Sequence, residues 1–211
     1  MSVKRSNLFA RTLILCAALA FAAGGASAAT VTGATGLVTL PTADVLPDGS
    51  LEVGARYADD VLGLTAVYGA FGDAEIGINT LRTDVEPAGI GIVLKGVLLH
   101  ETASSPGVAI GFESGRGYVV ASKRLAPRVR LHAGYLFGER PGPGAGIAYS
   151  FTTVSVSQSV LSSPATTLFA EYTPDGLNVG ARFLFGPSSS VDVGLLDMRR
   201  LTAGAAFRWT F

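Results

Sequence analysis

Cysteine is almost missing from this chain of 211 residues, and the one present, Cys16, lies inside an apolar run near the N-terminus. If that run is a leader removed after Ala28, the remaining chain has no thiol, which excludes a disulfide framework and a thiolate metal site. Histidine is scarce too. His100 and His132 are too few and too far apart to suggest a metal centre, and no cofactor is expected. Charged residues make up 15% of the chain, against roughly 25% in ordinary soluble domains. Their signs cancel, so there is no basic excess to propose nucleic acid as a partner. After Ala28 no apolar run is long enough to cross a bilayer as a helix, and no helical periodicity emerges.

What is present begins with export. Lys4, Arg5 and Arg11 precede an apolar stretch from Thr12 to Ala23, and Ala26-Ser27-Ala28 offers a small-x-small cleavage site. Residues 1–28 therefore read as a secretory signal peptide. Residues 29–49 form an N-terminal extended segment, and residues 50–211 alternate with period two. Leu51, Val53, Ala55 and Tyr57 oppose Glu52, Gly54 and Arg56; Ala74, Ile76 and Ile78 oppose Glu75, Gly77 and Asn79. Leu177, Val179, Ala181 and Phe183 oppose Asn178, Gly180 and Arg182. Turn residues interrupt the pattern at Gly72-Asp73, Gly115-Arg116-Gly117, Pro141-Gly142-Pro143-Gly144 and Pro174-Asp175-Gly176.

Mean hydropathy is +0.43 without a spanning helix. An exported chain of this kind can live in a membrane as a closed barrel, where every backbone group finds a partner. The expected fold is all-β: a single antiparallel up-and-down transmembrane β-barrel of about 12 strands. If Thr35 to Leu40 also enters the sheet, the count becomes about 14. The stretch Ala145 to Val160 reads as two strands or as one with a bulge. The last strand carries Phe207, Trp209 and Phe211 on one face, which resembles the C-terminal insertion signal of bacterial barrel proteins.

The inward faces place Glu52, Arg56, Glu75, Lys95, Glu113, Lys123, Arg130, Glu171, Arg182, Asp192 and Arg208 in the lumen, where opposite charges are expected to pair with one another. With Asp175-Gly176 as a two-residue turn, Glu171 would face Gly180 and Arg182 would lie diagonally across from it. Inward glycines such as Gly69, Gly146, Gly180 and Gly204 either let a small barrel coil or clear room for residues 30–49 as a lumenal plug.

Gly33-Ala34-Thr35-Gly36-Leu37-Val38-Thr39-Leu40-Pro41-Thr42-Ala43, followed by Pro47-Asp48-Gly49 and then Gly54, resembles the opening of the YjbH family. The residues that carry the likeness are Gly36, Leu37, Pro41, Thr42, Ala43, Gly49 and Gly54, within about 20 residues of the chain. Members of that family are typically much longer. The resemblance implies an outer-membrane barrel, and a role in exopolysaccharide biosynthesis or export.

Catalysis is not expected. His132, inward and near Glu113 or Glu171, has the chemistry of a base, but no spacing predicts a nucleophile and orienter beside it. Asp59-Asp60 and Asp84-Val85-Glu86 read as solvated loop carboxylates. The expected protein is a small integral outer-membrane barrel, structural or linked to envelope polysaccharide. Its expected partners are outer-membrane lipid, the barrel-assembly machinery during insertion, and polysaccharide or its export proteins. The alternatives are a passive small-solute pore and an exported soluble barrel binding an apolar ligand in the manner of a lipocalin.

Overall fold

The computed structural model describes residues 29–58, 61–82, 89–151 and 165–211. The expected signal peptide, both acidic loop pairs and most of the Ser/Thr-rich stretch after Phe151 lie outside the described residues.

Twelve strands are described: β1 (Ser50–Ala58), β2 (Val61–Ala70), β3 (Ala74–Arg82), β4 (Gly89–Leu99), β5 (Gly107–Glu113), β6 (Arg116–Ala126), β7 (Val129–Leu136), β8 (Gly142–Phe151), β9 (Ala165–Thr173), β10 (Gly176–Phe185), β11 (Ser189–Leu196) and β12 (Arg200–Thr210). Each pairs antiparallel with its neighbours in sequence. β12 closes on β1 over the full length of β1, from Ser50 opposite Thr210 to Ala58 opposite Thr202. Closure leaves no sheet edge, so the wall satisfies its own backbone. The 12-strand expectation matches the fold. The segment from Thr35 to Leu40 is not a thirteenth strand of the wall, because its bridges run to its own neighbours, Ala29 with Thr35 and Gly36 with Pro41.

Alternation sets the two faces. Ile76, Ile78, Ile92, Leu94, Ile110, Leu131, Ile147, Leu168 and Leu201 are exposed on the outside, while Glu75, Asn79, Lys95, Glu113, His132, Glu171 and Asp192 are buried inside. The turns hold where the chain reverses with left-handed residues. Phe71-Gly72 has φ of 59° and 75°, and Ser114-Gly115 has 48° and 82°. One expected turn is displaced: Gly142, Pro143 and Gly144 already belong to β8 and pair with Leu136, Tyr135 and Gly134. Pro143 is tolerated because the β9 ladder begins only at Ala145, so no hydrogen-bond donor is required of it on that side.

The core lies within the barrel. Ala34, Leu37, Val38, Leu40, Ala43 and Leu46 of the N-terminal segment pack among Val67, Val93, Ala109, Tyr118, Val120, Leu136, Ala148, Phe169 and Leu196 of the wall. Residues 29–49 thus fill the lumen. They enter it at the mouth that holds Ser50, since the Gly49 N–H donates to Gly69 O at 3.0 Å and the Phe211 N–H donates to Gly49 O at 3.0 Å.

Candidate functional site

The lumenal segment folds as a small hairpin. Leu37 N–H donates to Leu40 O at 2.9 Å and Thr42 N–H to Thr35 O at 3.1 Å, closing a tight reversal at Val38-Thr39. Gly36 makes the reversal possible: a Cβ there would lie 2.5 Å from the Leu40 carbonyl oxygen. Val31 N–H donates to Val38 O at 2.8 Å, folding the first residues back on the hairpin.

A hairpin has too few partners for its own backbone, and buried N–H groups left unpaired each cost about 1–3 kcal/mol. Wall side chains supply the missing partners. Glu171 on β9 accepts from the N–H groups of Val38 (3.1 Å), Thr39 (2.7 Å) and Leu40 (3.1 Å), from the Thr39 hydroxyl (2.7 Å) and from Asn178 Nδ2 (2.8 Å). Glu75 on β3 accepts from Thr35 N–H at 3.1 Å, from the Thr35 hydroxyl, and from Leu46 N–H at 2.8 Å. Glu113 on β5 accepts from the Thr30 hydroxyl at 3.1 Å and Ala34 N–H at 3.2 Å. Converging backbone dipoles of this kind stabilise a buried carboxylate much as a cation would.

Cations take the opposite polarity. Lys95 Nζ donates to Thr35 O at 2.8 Å, and Arg56 Nη2 to Ala29 O at 3.0 Å. Arg182 Nη1 and Nη2 donate to Gly36 O and Leu37 O, both at 3.2 Å. Asn79 Nδ2 donates to Thr32 O at 2.5 Å, and Ala43 N–H to Ser122 Oγ at 2.9 Å. Donors and acceptors of the wall therefore match acceptors and donors of the segment around most of the barrel.

The charges expected to pair only among themselves divide into two kinds. Arg208 and Glu52 face each other with Nε and Oε2 at 3.6 Å, and Lys95 lies 3.6 Å from Glu75. Asp192 binds both Arg182, with Nε at 2.7 Å, and Arg56. Glu113 and Glu171, by contrast, are held chiefly by the segment. Arg182 does not reach Glu171. The two-residue turn is Pro174-Asp175, not Asp175-Gly176, so Glu171 opposes Asn178, and Arg182 lies opposite Thr167 on one side and Asp192 on the other. The guanidinium of Arg182 also stacks over Phe169, 5.6 Å from the ring centroid.

Lys123 is not in the lumen. It pairs with outward Leu131, while Ser122 beside it is the buried inward residue. Its Nζ donates to the carbonyls of Thr102 (2.5 Å), Ala103 (2.9 Å) and Ser105 (3.2 Å), fastening the loop between β4 and β5. Arg130 sits at the mouth rather than deep inside, between Asp44 of the lumenal segment and Glu101 of that loop, 2.8 Å from each. His132 meets neither Glu113 nor Glu171 in a hydrogen bond. Its Nδ1 lies 2.8 Å from Ser122 Oγ, the same hydroxyl that accepts from Ala43, so the pair holds the segment in place.

Of the terminal aromatics, Phe207 and Trp209 meet edge to face with ring centroids 4.3 Å apart, and Phe211 is exposed. Of the motif residues, Gly36, Leu37, Pro41, Thr42 and Ala43 form the hairpin and its exit. Gly49, with φ of 69°, turns the chain into β1, and Gly54 lies inward opposite Thr65 and Ala206. Some inward glycines do make room for the segment. A Cβ on Gly144 would lie 2.7 Å from Leu40 Cδ1, and one on Gly146 would lie 2.5 Å from Leu37 Cδ1. Gly134 and Gly194 face atoms of neighbouring strands instead, which fits the tight coiling of the wall. Thr30, Thr35, Thr39, Asn79, Ser122 and Asn178 are site residues that charge alone did not mark.

No family model matches the chain, and no curated protein does. Solved structures similar to it include the KdgM porin, 16% identical with a TM-score of 0.49 over 77% of this chain and 99% of that one. The Acinetobacter baumannii outer membrane protein Omp33 is 11% identical with a TM-score of 0.44, covering 77% of this chain and 97% of that one. The NanC porin is 11% identical with a TM-score of 0.37, covering 75% and 98%.

Proposed function

We propose that this protein is an integral outer-membrane β-barrel whose N-terminal segment keeps the lumen shut, serving the envelope as a closed barrel linked to exopolysaccharide biosynthesis or export. The observation that carries the membrane reading is the inversion of faces. Among the described residues 28 large apolar side chains are exposed. Moving one such side chain wholly from water into an apolar medium gains about 1.5–3 kcal/mol, so an outer wall this apolar gains far more from lipid than from water, and contiguous apolar surface of this extent marks a face that is covered. Lipid supplies that cover and leaves the charged interior where it is. A lipocalin-like reading needs an open apolar cavity inside, whereas this interior is filled by residues 29–49, with buried charges set among its apolar side chains.

The polysaccharide link rests on the YjbH resemblance, and the residues that carry that resemblance are largely those that occupy the lumen. A passive pore is the second reading, open once the segment is displaced. It would show weak ion selectivity, since the described residues form no ring of one sign.

Cell fractionation with a heat-modifiable gel shift tests the membrane reading. A protein found in aqueous extracts with no shift would overturn it. Planar-bilayer recording then separates closed barrel from pore. The full chain should be silent, and a variant lacking residues 30–46 that still shows the gel shift should conduct. Equal conductance of the two forms would mean that the segment does not close the lumen.

A further inference from the structure

Four inward positions lie in one row across the wall: Arg182 on β10, Asp192 on β11, Gly204 on β12 and Arg56 on β1. Asp192 takes Arg182 side-on, through Nε at 2.7 Å and Nη2 at 3.4 Å. Its second cation, Arg56, stands on the first strand and must reach across the last one. It reaches because Gly204 has no side chain: a Cβ there would lie 3.2 Å from both Cγ and Nε of Arg56. The Arg56–Asp192 pair therefore spans the seam where β12 closes on β1.

The same two arginines hold the lumenal segment. Arg56 Nη2 serves both Asp192 and the Ala29 carbonyl, while its buried Nη1 has no partner. An arginine placed for the seam alone would give its carboxylate both prongs of the fork. This one divides a single nitrogen between the seam and the segment. Arg182 likewise uses Asp192 on one side and the Gly36 and Leu37 carbonyls on the other. Gly49 adds a second tie, because it accepts from Phe211, which follows β12, and donates to Gly69 of β2.

We propose that the segment seats only on a closed wall and, once seated, holds the seam shut, with Asp192 as the joint between the two. Before β12 pairs with β1, Arg56 and Asp192 cannot meet, and the Ala29 end of the seat does not exist. After seating, plug carbonyls add hydrogen bonds to two buried guanidinium groups. Opening the seam must then break plug contacts as well as strand pairing.

A double-mutant cycle in the full chain tests this. Glu113 on β5 holds the first residues of the segment directly, whereas Asp192 on β11 reaches them only through Arg56, and the two carboxylates share no bond. Thermal unfolding in detergent, followed by circular dichroism, should show Glu113→Gln and Asp192→Asn each lowering the transition. Coupling makes the combined loss smaller than the sum by about 2–4 °C. Gly204→Ala in place of Asp192→Asn gives the same cycle with a milder change at the seam. As a second readout, a thiol-reactive dye should label Thr32→Cys several-fold faster when Asp192→Asn is also present. Additive losses in both cycles, or unchanged labelling, would overturn the proposal. Neither readout depends on the membrane or the polysaccharide reading.

Discussion

At the scale of single residues, the lumen is governed by which atom answers each buried donor. Glu171 shows this most clearly, since five donors converge on its two oxygens and three of them are consecutive backbone N–H groups. Glu171→Gln replaces one acceptor oxygen by a donor and removes the charge that strengthens the rest. The expected loss is about 2–4 kcal/mol in denaturant unfolding, accompanied by conductance bursts in planar bilayers. A loss within 0.5 kcal/mol, the range of ordinary surface changes, would mean the hairpin tip is not clamped there. The sequence made Glu171 legible as inward but not its partner. Period two identifies a face, while the partner depended on a turn placed one residue earlier than expected. Lys123 failed for a related reason. Ser122 and Lys123 are adjacent and both polar, and β6 carries a register shift between Arg124 and Ala126, so alternation alone could not say which of the two faced inward.

Strands were legible as elements because each repeats the same apolar-out pattern, and a repeated pattern survives an error at one position. The lumenal hairpin has no such period. Its marks are a glycine at Gly36 and a proline at Pro41, which fix a reversal without saying where it docks. Its lower end is fastened by the loop between β4 and β5. Glu101 accepts the Arg124 N–H at 2.7 Å and the Arg130 guanidinium at 2.8 Å, and Arg130 also holds Asp44. The Arg124 N–H, with help from Arg130, holds the Glu101 carboxyl below its ordinary value despite partial desolvation. A depressed carboxylate adds stability above its unfolded value, about 4.3, and loses it as pH falls through the lower folded one. Protease nicking of the loop should therefore stay slow at pH 5 and rise only below about pH 4. Glu101→Gln should nick readily at every pH. A loop whose nicking already rises between pH 6 and 5 would contradict this assignment.

For the whole molecule, the outward face decides where the barrel can live, and the chain carries its own probe of that surroundings. Trp209 is the only tryptophan. It lies next to the end of β12, pairs with Leu51 at the start of β1, and is partly exposed on the outer face beside Phe207. A strand of 11 residues at about 3.4 Å per residue, tilted by roughly 35–45°, rises about 26–31 Å, close to the roughly 25 Å apolar band of an outer-membrane barrel. A residue one place from its end therefore falls at the interface, where indole rings collect. In bilayers containing brominated lipid, Trp209 fluorescence should be quenched more by bromines near the headgroups than by bromines at the chain ends. A soluble barrel predicts the reverse sensitivity, with no lipid quenching and strong quenching by aqueous iodide. Strongest quenching from the bilayer centre would keep the barrel in lipid but move this mouth inward, and the strand ends would then need a different register against the membrane.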